Sequence, residues 1–106
     1  MECLTVTYPI GEDTTFDHEY YRDSHMPLCA RLFTEHGYRG SVMRSNQGTA
    51  PGSGDLNYVS VDLLFDSKEQ LGAALAAGGQ EVSADVVNYT NAVPSMTFGE
   101  VAVDLV

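Results

Sequence analysis

The side chains most able to do chemistry in this sequence lie in one short stretch in its first quarter. Tyr21 and His25 are four residues apart, so on a helix the phenol and the imidazole would share one face, with His18 near the same stripe. Because histidine titrates near neutral pH, this pair could hold a polar ligand or relay a proton. From spacing alone a structural role is the more common one, in which the histidine caps backbone carbonyls loosened by Pro27 and the tyrosines simply pack.

Other kinds of reaction centre are not indicated. His18, His25 and His36 are too widely spaced to converge on one metal ion, and neither CxxC nor HExxH occurs. The sequence also lacks the GxGxxG and GxxxxGK[ST] phosphate loops and the GxSxG nucleophile motif. We therefore expect no metal and no bound cofactor.

A polar cluster of Asp85, Asn88 and Tyr89 follows the second predicted helix. Asp85 has a common structural role as the cap of a short helical turn. A functional role would require Asp85 to face the same cleft as His25. Spacing along the chain leaves that question open.

Composition limits what this chemistry can act on. The chain has 106 residues, with 5 Lys and Arg against 15 Asp and Glu, and a formal net charge of −10. One domain over residues 1–106 fits this length. The charge argues against nucleic acid and anionic membranes as partners, and no apolar run is long enough to span a bilayer. Cys3 and Cys29 fall in predicted elements, as reduced packing cysteines do, so we expect a cytoplasmic protein without signal peptide or anchor.

Alternating apolar residues predict four strands. We place them at Cys3–Tyr8, Tyr38–Ser45, Leu56–Phe65 and about Ser95–Leu105. The residues expected beneath the helices are Val59, Val61, Leu63 and Phe65 of the third strand and Val101, Val103 and Leu105 of the fourth. A loop rich in glycine and proline, Asn46–Asp55, joins the two middle strands.

The first predicted helix begins after Asp17, a good N-cap residue, and ends at Gly37. Pro27 lies inside it and removes one backbone donor. This predicts either a kink or two short helices with Pro27 near the start of the second.

The second predicted helix opens with the capping box Ser67–Gln70. We expect the pair Gly78 and Gly79 to end or interrupt it, because glycine weakens a helix interior. Further helical turns are expected over Glu81–Asn88.

The element order β-α-β-β-α-β is typical of the α+β ferredoxin-like fold, a four-stranded antiparallel sheet with both helices on one face. The opposite face carries more large apolar groups than a solvated sheet usually does. Two sheets packed face to face would bury it, so we predict a homodimer, with a monomer as the alternative. The residues expected on this face are Thr5, Thr7, Tyr58, Ser60, Asp62, Leu64, Phe98 and Ala102.

Several stretches resemble the EthD family, named for ethyl tert-butyl ether degradation. The most specific is the pattern FDxxYYxxxHMPL, which begins at Phe16 and is preceded by Tyr8-Pro9. The resemblance covers almost the entire chain. Its stretches in the second half are Leu64–Ser67, Ala73–Ala76, Glu81–Val82, Asp85–Asn91 and Gly99–Val101. The sequence departs from the family pattern at Arg39–Ser41, where an aromatic is often seen, and at Tyr89, where phenylalanine is common and tyrosine adds a hydroxyl.

The resemblance implies a dimeric α+β barrel, in which two ferredoxin-like sheets pack together. Relatives with that architecture include cofactor-free quinone-forming monooxygenases, polyketide cyclases and muconolactone isomerases, which bind aromatic or hydrophobic substrates between helices and sheet. Carried over to this chain, His25 would be the acid or base, and Tyr20 and Tyr21 would line the cleft. The further candidate substrate-binding residues in the matching stretches are Tyr8, Asp85 and Tyr89.

We therefore predict a cofactor-independent enzyme of oxygenase, cyclase or isomerase type that acts on a hydrophobic, aromatic or polyketide-like molecule. His25 would deprotonate a hydroxyl or a carbon acid, and a tyrosine would donate a hydrogen bond to the developing oxyanion. The alternatives are a non-catalytic carrier of a hydrophobic metabolite and an accessory protein of a degradation or biosynthetic pathway.

Overall fold

A four-stranded antiparallel sheet forms the base of the molecule, and the helices pack against one of its faces. The computed structural model describes residues 1–48, 50–52, 54 and 56–104. The strands are β1 (Glu2–Pro9), β2 (Tyr38–Asn46), β3 (Tyr58–Phe65) and β4 (Ser95–Glu100), in the spatial order β2-β3-β1-β4. With the helices between them, this is the predicted ferredoxin-like α+β fold. The predicted loop runs between β2 and β3, and its residues Thr49, Ser53 and Asp55 lie outside the described part of the chain.

The first helical segment is irregular in its middle. It consists of α1 (His18–Tyr20), a π-helical turn (Tyr21–His25), α2 (Met26–Phe33) and a 3-10 turn (Thr34–His36). The side chain of Asp17 accepts from the Tyr20 amide at 3.0 Å, and Gly37 ends the segment with a φ of 76°. Pro27 lies in the first turn of α2, where its missing N–H is tolerated. The predicted division of this helix at Pro27 is confirmed.

The second helical segment is regular. Helix α3 runs without a break over Lys68–Asp85, and a 3-10 turn, Val86–Asn88, follows it. Ser67 Oγ accepts from the Gln70 amide at 3.2 Å, as the capping box predicts. The prediction that Gly78 and Gly79 end or interrupt the helix was wrong. Gly78 is buried where α3 meets α2, and a Cβ placed on it would lie 2.8 Å from Cβ of Leu32, so the glycine serves close helix packing.

The core lies between the helices and the inner face of the sheet. Val59, Val61, Leu63 and Phe65 are each less than 5% exposed, as predicted. Within the part of the chain that the structure describes, no helix has the length and apolar character to cross a membrane.

The prediction for the last strand was wrong in its length. Strand β4 ends at Glu100, so Val101 and Val103 are not core strand residues, and Val103 is 49% exposed. The physical reason is that β4 pairs with β1, whose first residue Glu2 lies opposite Glu100. Beyond this pair the Val101 amide donates to the Met1 carbonyl at 2.8 Å, outside the strand. Leu105 lies outside the described residues.

The prediction for the outer face was also wrong in part. Phe98 pairs with Leu4, and Leu4 with Leu63, so all three point to the inner, helix-covered face. Ala102 lies beyond β4. The pairs Thr5–Asp62 and Thr7–Ser60 occupy the outer face together with Leu64, as predicted.

Candidate active site

His25 is buried at the end of the π-helical turn. His25 is 3% exposed. Its ring stacks on that of Tyr21, with the ring centroids 5.2 Å apart and the ring planes at 21° to each other. Tyr21 begins the same turn and is fully buried. The backbone of this turn, widened before Pro27, therefore presents a phenol and an imidazole together to the interior.

Asp85, the last residue of α3, is the first partner of the imidazole. Its Oδ2 lies 2.9 Å from Nδ1 of His25, and its Oδ1 accepts from the Tyr20 hydroxyl at 2.8 Å and from Asn88 Nδ2 at 2.9 Å. Although partial burial acts to raise the pKa of Asp85, the hydrogen bonds from Asn88, His25 and Tyr20 outweigh it and lower this pKa below its ordinary value. The carboxylate is therefore ionised, and Nδ1 of His25 carries the hydrogen.

Tyr89 is the second partner of the imidazole. Its hydroxyl lies 3.3 Å from Nε2 of His25 and 2.7 Å from the hydroxyl of Tyr8, which projects from β1. Burial raises the pKa of both phenols, so both remain protonated. A continuous run of hydrogen bonds thus joins Tyr8, Tyr89, His25, Asp85 and Tyr20.

The imidazole itself is neutral in this environment. Burial lowers the pKa of His25 below its ordinary value of 6.5, and the hydrogen bond and charge of Asp85 offset this only in part. A neutral imidazole held by an ionised carboxylate is a suitable proton acceptor near neutral pH.

A cleft of about 360 Å³ lies beside this cluster, between the helices and the inner face of the sheet. Tyr8, Tyr21, His25 and Ser83 contribute the only side-chain oxygen or nitrogen atoms among its described lining residues. Its apolar walls include Val6, Val61, Leu75, Val82, Val93 and Met96. The cleft therefore fits a largely apolar molecule with few polar groups.

The structure brings all six sequence-predicted site residues into one cluster, on two sides of His25. Tyr8, Tyr21 and His25 line the cleft. Tyr20, Asp85 and Tyr89 do not line it and instead contact His25 or one another behind the imidazole. The Tyr21 hydroxyl is buried and has no hydrogen-bond partner among the described residues.

Sequence reasoning missed Cys29 as a cleft residue. It is 1% exposed, lines the cleft and has its thiol pKa raised to about 12, chiefly by burial and also by the charge of Asp85. The signal was present, because Cys29 continues the four-residue spacing of Tyr21 and His25. The described residues contain no group of three or more histidine, cysteine or acidic side chains arranged to hold a metal ion.

Comparison with solved structures decides the family. No protein-family model and no curated protein matches the sequence. An EthD-like protein from Ralstonia eutropha is 30% identical, with a TM-score of 0.83 over 98% of this chain and 94% of the other. The chain belongs to the EthD-like family. The resemblance predicted from the FDxxYYxxxHMPL pattern is confirmed.

Two more distant structures share the fold with this EthD-like chain. A dimeric ferredoxin-like protein from an uncultured marine organism is 12% identical, with a TM-score of 0.61 over 100% of this chain and 99% of the other. SnoaB, a cofactor-independent oxygenase from Streptomyces nogalater, was solved as a variant that is 14% identical, with a TM-score of 0.59 over 98% of this chain and 96% of the other. At these identities the likeness concerns the fold alone.

Proposed function

We propose that this EthD-like protein is a cofactor-independent enzyme that acts on a hydrophobic, aromatic or polyketide-like small molecule in the cleft. The observation that carries the proposal is the neutral imidazole of His25, held by the Asp85 carboxylate beside an apolar cleft. The fold shared with a cofactor-independent oxygenase supports the same kind of chemistry.

In this proposal His25 is the general base. The ionised Asp85 fixes the imidazole with hydrogen on Nδ1 and stabilises the imidazolium that forms when Nε2 takes a proton. Tyr21 lines the cleft and its buried hydroxyl has no hydrogen-bond partner among the described residues, so in this proposal that hydroxyl turns towards the oxygen on which negative charge develops and donates to it. When the proton comes from a C–H bond of the substrate, a carbanion results. It reacts with oxygen in an oxygenase, attacks a carbonyl in a cyclase, or is reprotonated in an isomerase.

The test uses anthrone, a flat carbon acid whose deprotonated form reacts with oxygen to give anthraquinone and water. We expect quinone formation above the rate without protein, and a loss of about 10²–10⁴-fold in His25→Asn. The asparagine amide can still donate to Asp85 but cannot take the proton. His36→Asn is the matched control, because His36 lies in the 3-10 turn away from the cleft. An unchanged rate in His25→Asn would contradict the role of His25.

A non-catalytic carrier of a hydrophobic metabolite is the second candidate. One observation favours it, since both ring nitrogens of His25 already lie within hydrogen-bond distance of protein atoms. A carrier would bind anthrone saturably, and anthrone would raise the melting temperature of the protein. No quinone would form. Binding with turnover would exclude this candidate.

We also propose that the chain forms a homodimer in the cytoplasm. The fold shared with a dimeric ferredoxin-like protein supports the dimer. Val42, paired with Asp62 and so on the outer face of the sheet, is 57% exposed and would be covered by a second sheet. Both cysteines are free and buried, in keeping with a reducing compartment. Light scattering is expected to give twice the chain mass of 11.5 kDa.

A further inference from the structure

The two ring nitrogens of His25 are both engaged. Nδ1 lies 2.9 Å from Asp85 and Nε2 lies 3.3 Å from the hydroxyl of Tyr89. The imidazole lines the cleft, yet neither nitrogen is left for a ligand there. A base in this position needs another group to bring it the proton.

Tyr89 continues the hydrogen bonding in the direction of the sheet. Its own side chain does not line the cleft, but its hydroxyl lies 2.7 Å from the hydroxyl of Tyr8, a residue that lines the cleft. The rings of Tyr8 and Tyr89 are 5.8 Å apart and edge-to-face, which holds the two hydroxyls together. Tyr8 is 2% exposed and Tyr89 3%, so water does not compete for these bonds.

The ionised Asp85 sets the direction of every bond in this run. A carboxylate only accepts, so Nδ1 of His25 donates to it and Nε2 accepts. The hydroxyl of Tyr89 therefore donates to Nε2, and its oxygen accepts from the hydroxyl of Tyr8. The oxygen of Tyr8 keeps a lone pair that can accept a hydrogen from a ligand bound beside it.

We propose that a proton leaving a bound ligand reaches His25 through the hydroxyls of Tyr8 and Tyr89, and that the ligand is a neutral phenol or enol. The ligand O–H bond breaks and its electron pair stays on the ligand oxygen, while Tyr8 gains that proton and passes its own to Tyr89. Tyr89 in turn passes its proton to Nε2, which leaves an imidazolium beside the Asp85 carboxylate. No oxidant or reductant takes part.

The anion left in the cleft also has a partner. Tyr21 lines the cleft next to Tyr8, with ring centroids 5.8 Å apart, and its hydroxyl has no other partner among the described residues. It can donate to the phenolate or enolate oxygen. This inference rests on the proposed function, because it uses His25 as the final proton acceptor.

The test uses 4-nitrophenol, a phenol whose ionised form alone is yellow, titrated with the full-length protein. In the wild type we expect saturable binding and an ionisation constant for the bound phenol at least about tenfold above that in water. Tyr89→Phe removes the hydroxyl that links Tyr8 to Nε2, so the imidazolium no longer stabilises the bound phenolate through hydrogen bonds and the phenol stays neutral in its apolar surroundings. Tyr8→Phe cuts the same route at its other end. Tyr58→Phe is the matched control, because its hydroxyl bonds Arg44 on the outer face of the sheet.

Each outcome bears on a different step. Suppose that bound 4-nitrophenol ionises equally in the wild type and in Tyr89→Phe but not in His25→Asn. The proton would then pass directly to His25, which would overturn the relay and leave the proposed function standing. Equal ionisation in His25→Asn and wild type would overturn both. Absence of saturable binding to the wild type would also overturn both. If Tyr89→Phe does not fold, loss of ionisation in Tyr8→Phe supports the relay and retention overturns it.

Discussion

The two helical segments on the sheet contribute different things to the cleft. The first, His18–His36, contains the π-helical turn and carries Tyr21 and His25. The second, helix α3, is regular over Lys68–Asp85 although it contains Gly78 and Gly79. Each begins with a side-chain cap, from Asp17 and Ser67 respectively, so the difference arises inside the segments.

The first segment supplies reactive side chains, and the second mainly supplies a wall of the cleft. The irregular segment presents the stacked rings of Tyr21 and His25 to the interior from its π-helical turn. The regular helix lines the cleft at Gly79 and contributes one carboxylate, Asp85, at its end. The first segment changes helix type just before Pro27, whereas Gly78 and Gly79 lie in an unbroken helix. Local context decides whether such residues interrupt a helix.

Tyr21 gives the largest expected effect and tests the irregular segment. Tyr21→Ala removes a fully buried ring from the core and from its stack on His25, which should lower the free energy of unfolding by about 3–5 kcal/mol. Tyr21→Phe keeps the ring and removes only an unpartnered hydroxyl, so stability should stay within about 1 kcal/mol or rise. Urea unfolding of both variants measures this. A large loss in Tyr21→Phe would mean that the hydroxyl has a structural partner.

Gly78 gives the next largest effect and tests the regular segment. Gly78→Ala would place its Cβ 2.8 Å from Cβ of Leu32, and such overpacking costs about 1–3 kcal/mol, against a gain of about 1 kcal/mol in helix propensity. We expect a net loss of stability in thermal unfolding. Gly72→Ala is the matched control, because a Cβ there meets nothing within 4 Å and should stabilise by about 1 kcal/mol. Equal stabilisation by both would show that α2 and α3 separate without cost.

The sequence predicted most of the fold because its strands and caps are set by local chemistry. The alternation in Val59–Phe65 and the caps at Asp17, Gly37 and Ser67 are properties of neighbouring residues, and each was correct. The errors at Gly78 and in β4 concern partners far along the chain. Leu32 decides the first, and the pairing of β1 with β4 decides the second.

The candidate site divides in the same way. The spacing of Tyr21 and His25 indicates a shared face without knowledge of the fold. The contact between His25 and Asp85 joins residues 60 apart in sequence, and that between Tyr8 and Tyr89 joins residues 81 apart. Only the sheet order and the position where α3 ends bring them together. Spacing could nominate these residues but could not order them into a run of hydrogen bonds.

The dependence of stability on pH gives the smallest expected effect, because the charge of Asp85 partly offsets the burial of His25. The pKa of His25 is lower in the folded protein than its ordinary 6.5, so the unfolded chain takes up a proton first as pH falls through 6.5. Stability from His25 is therefore present above that pH and is lost below it. The pKa of Asp85 is lowered from 3.8, so its contribution is lost only as pH falls further, below 3.8. Urea unfolding at a series of pH values measures this. His25→Asn should abolish the loss of stability near pH 6.5 and retain the loss of stability at lower pH. A wild-type stability that rises as pH falls through 6.5 would mean that the imidazole is charged in the fold, and His25 could not then act as the base.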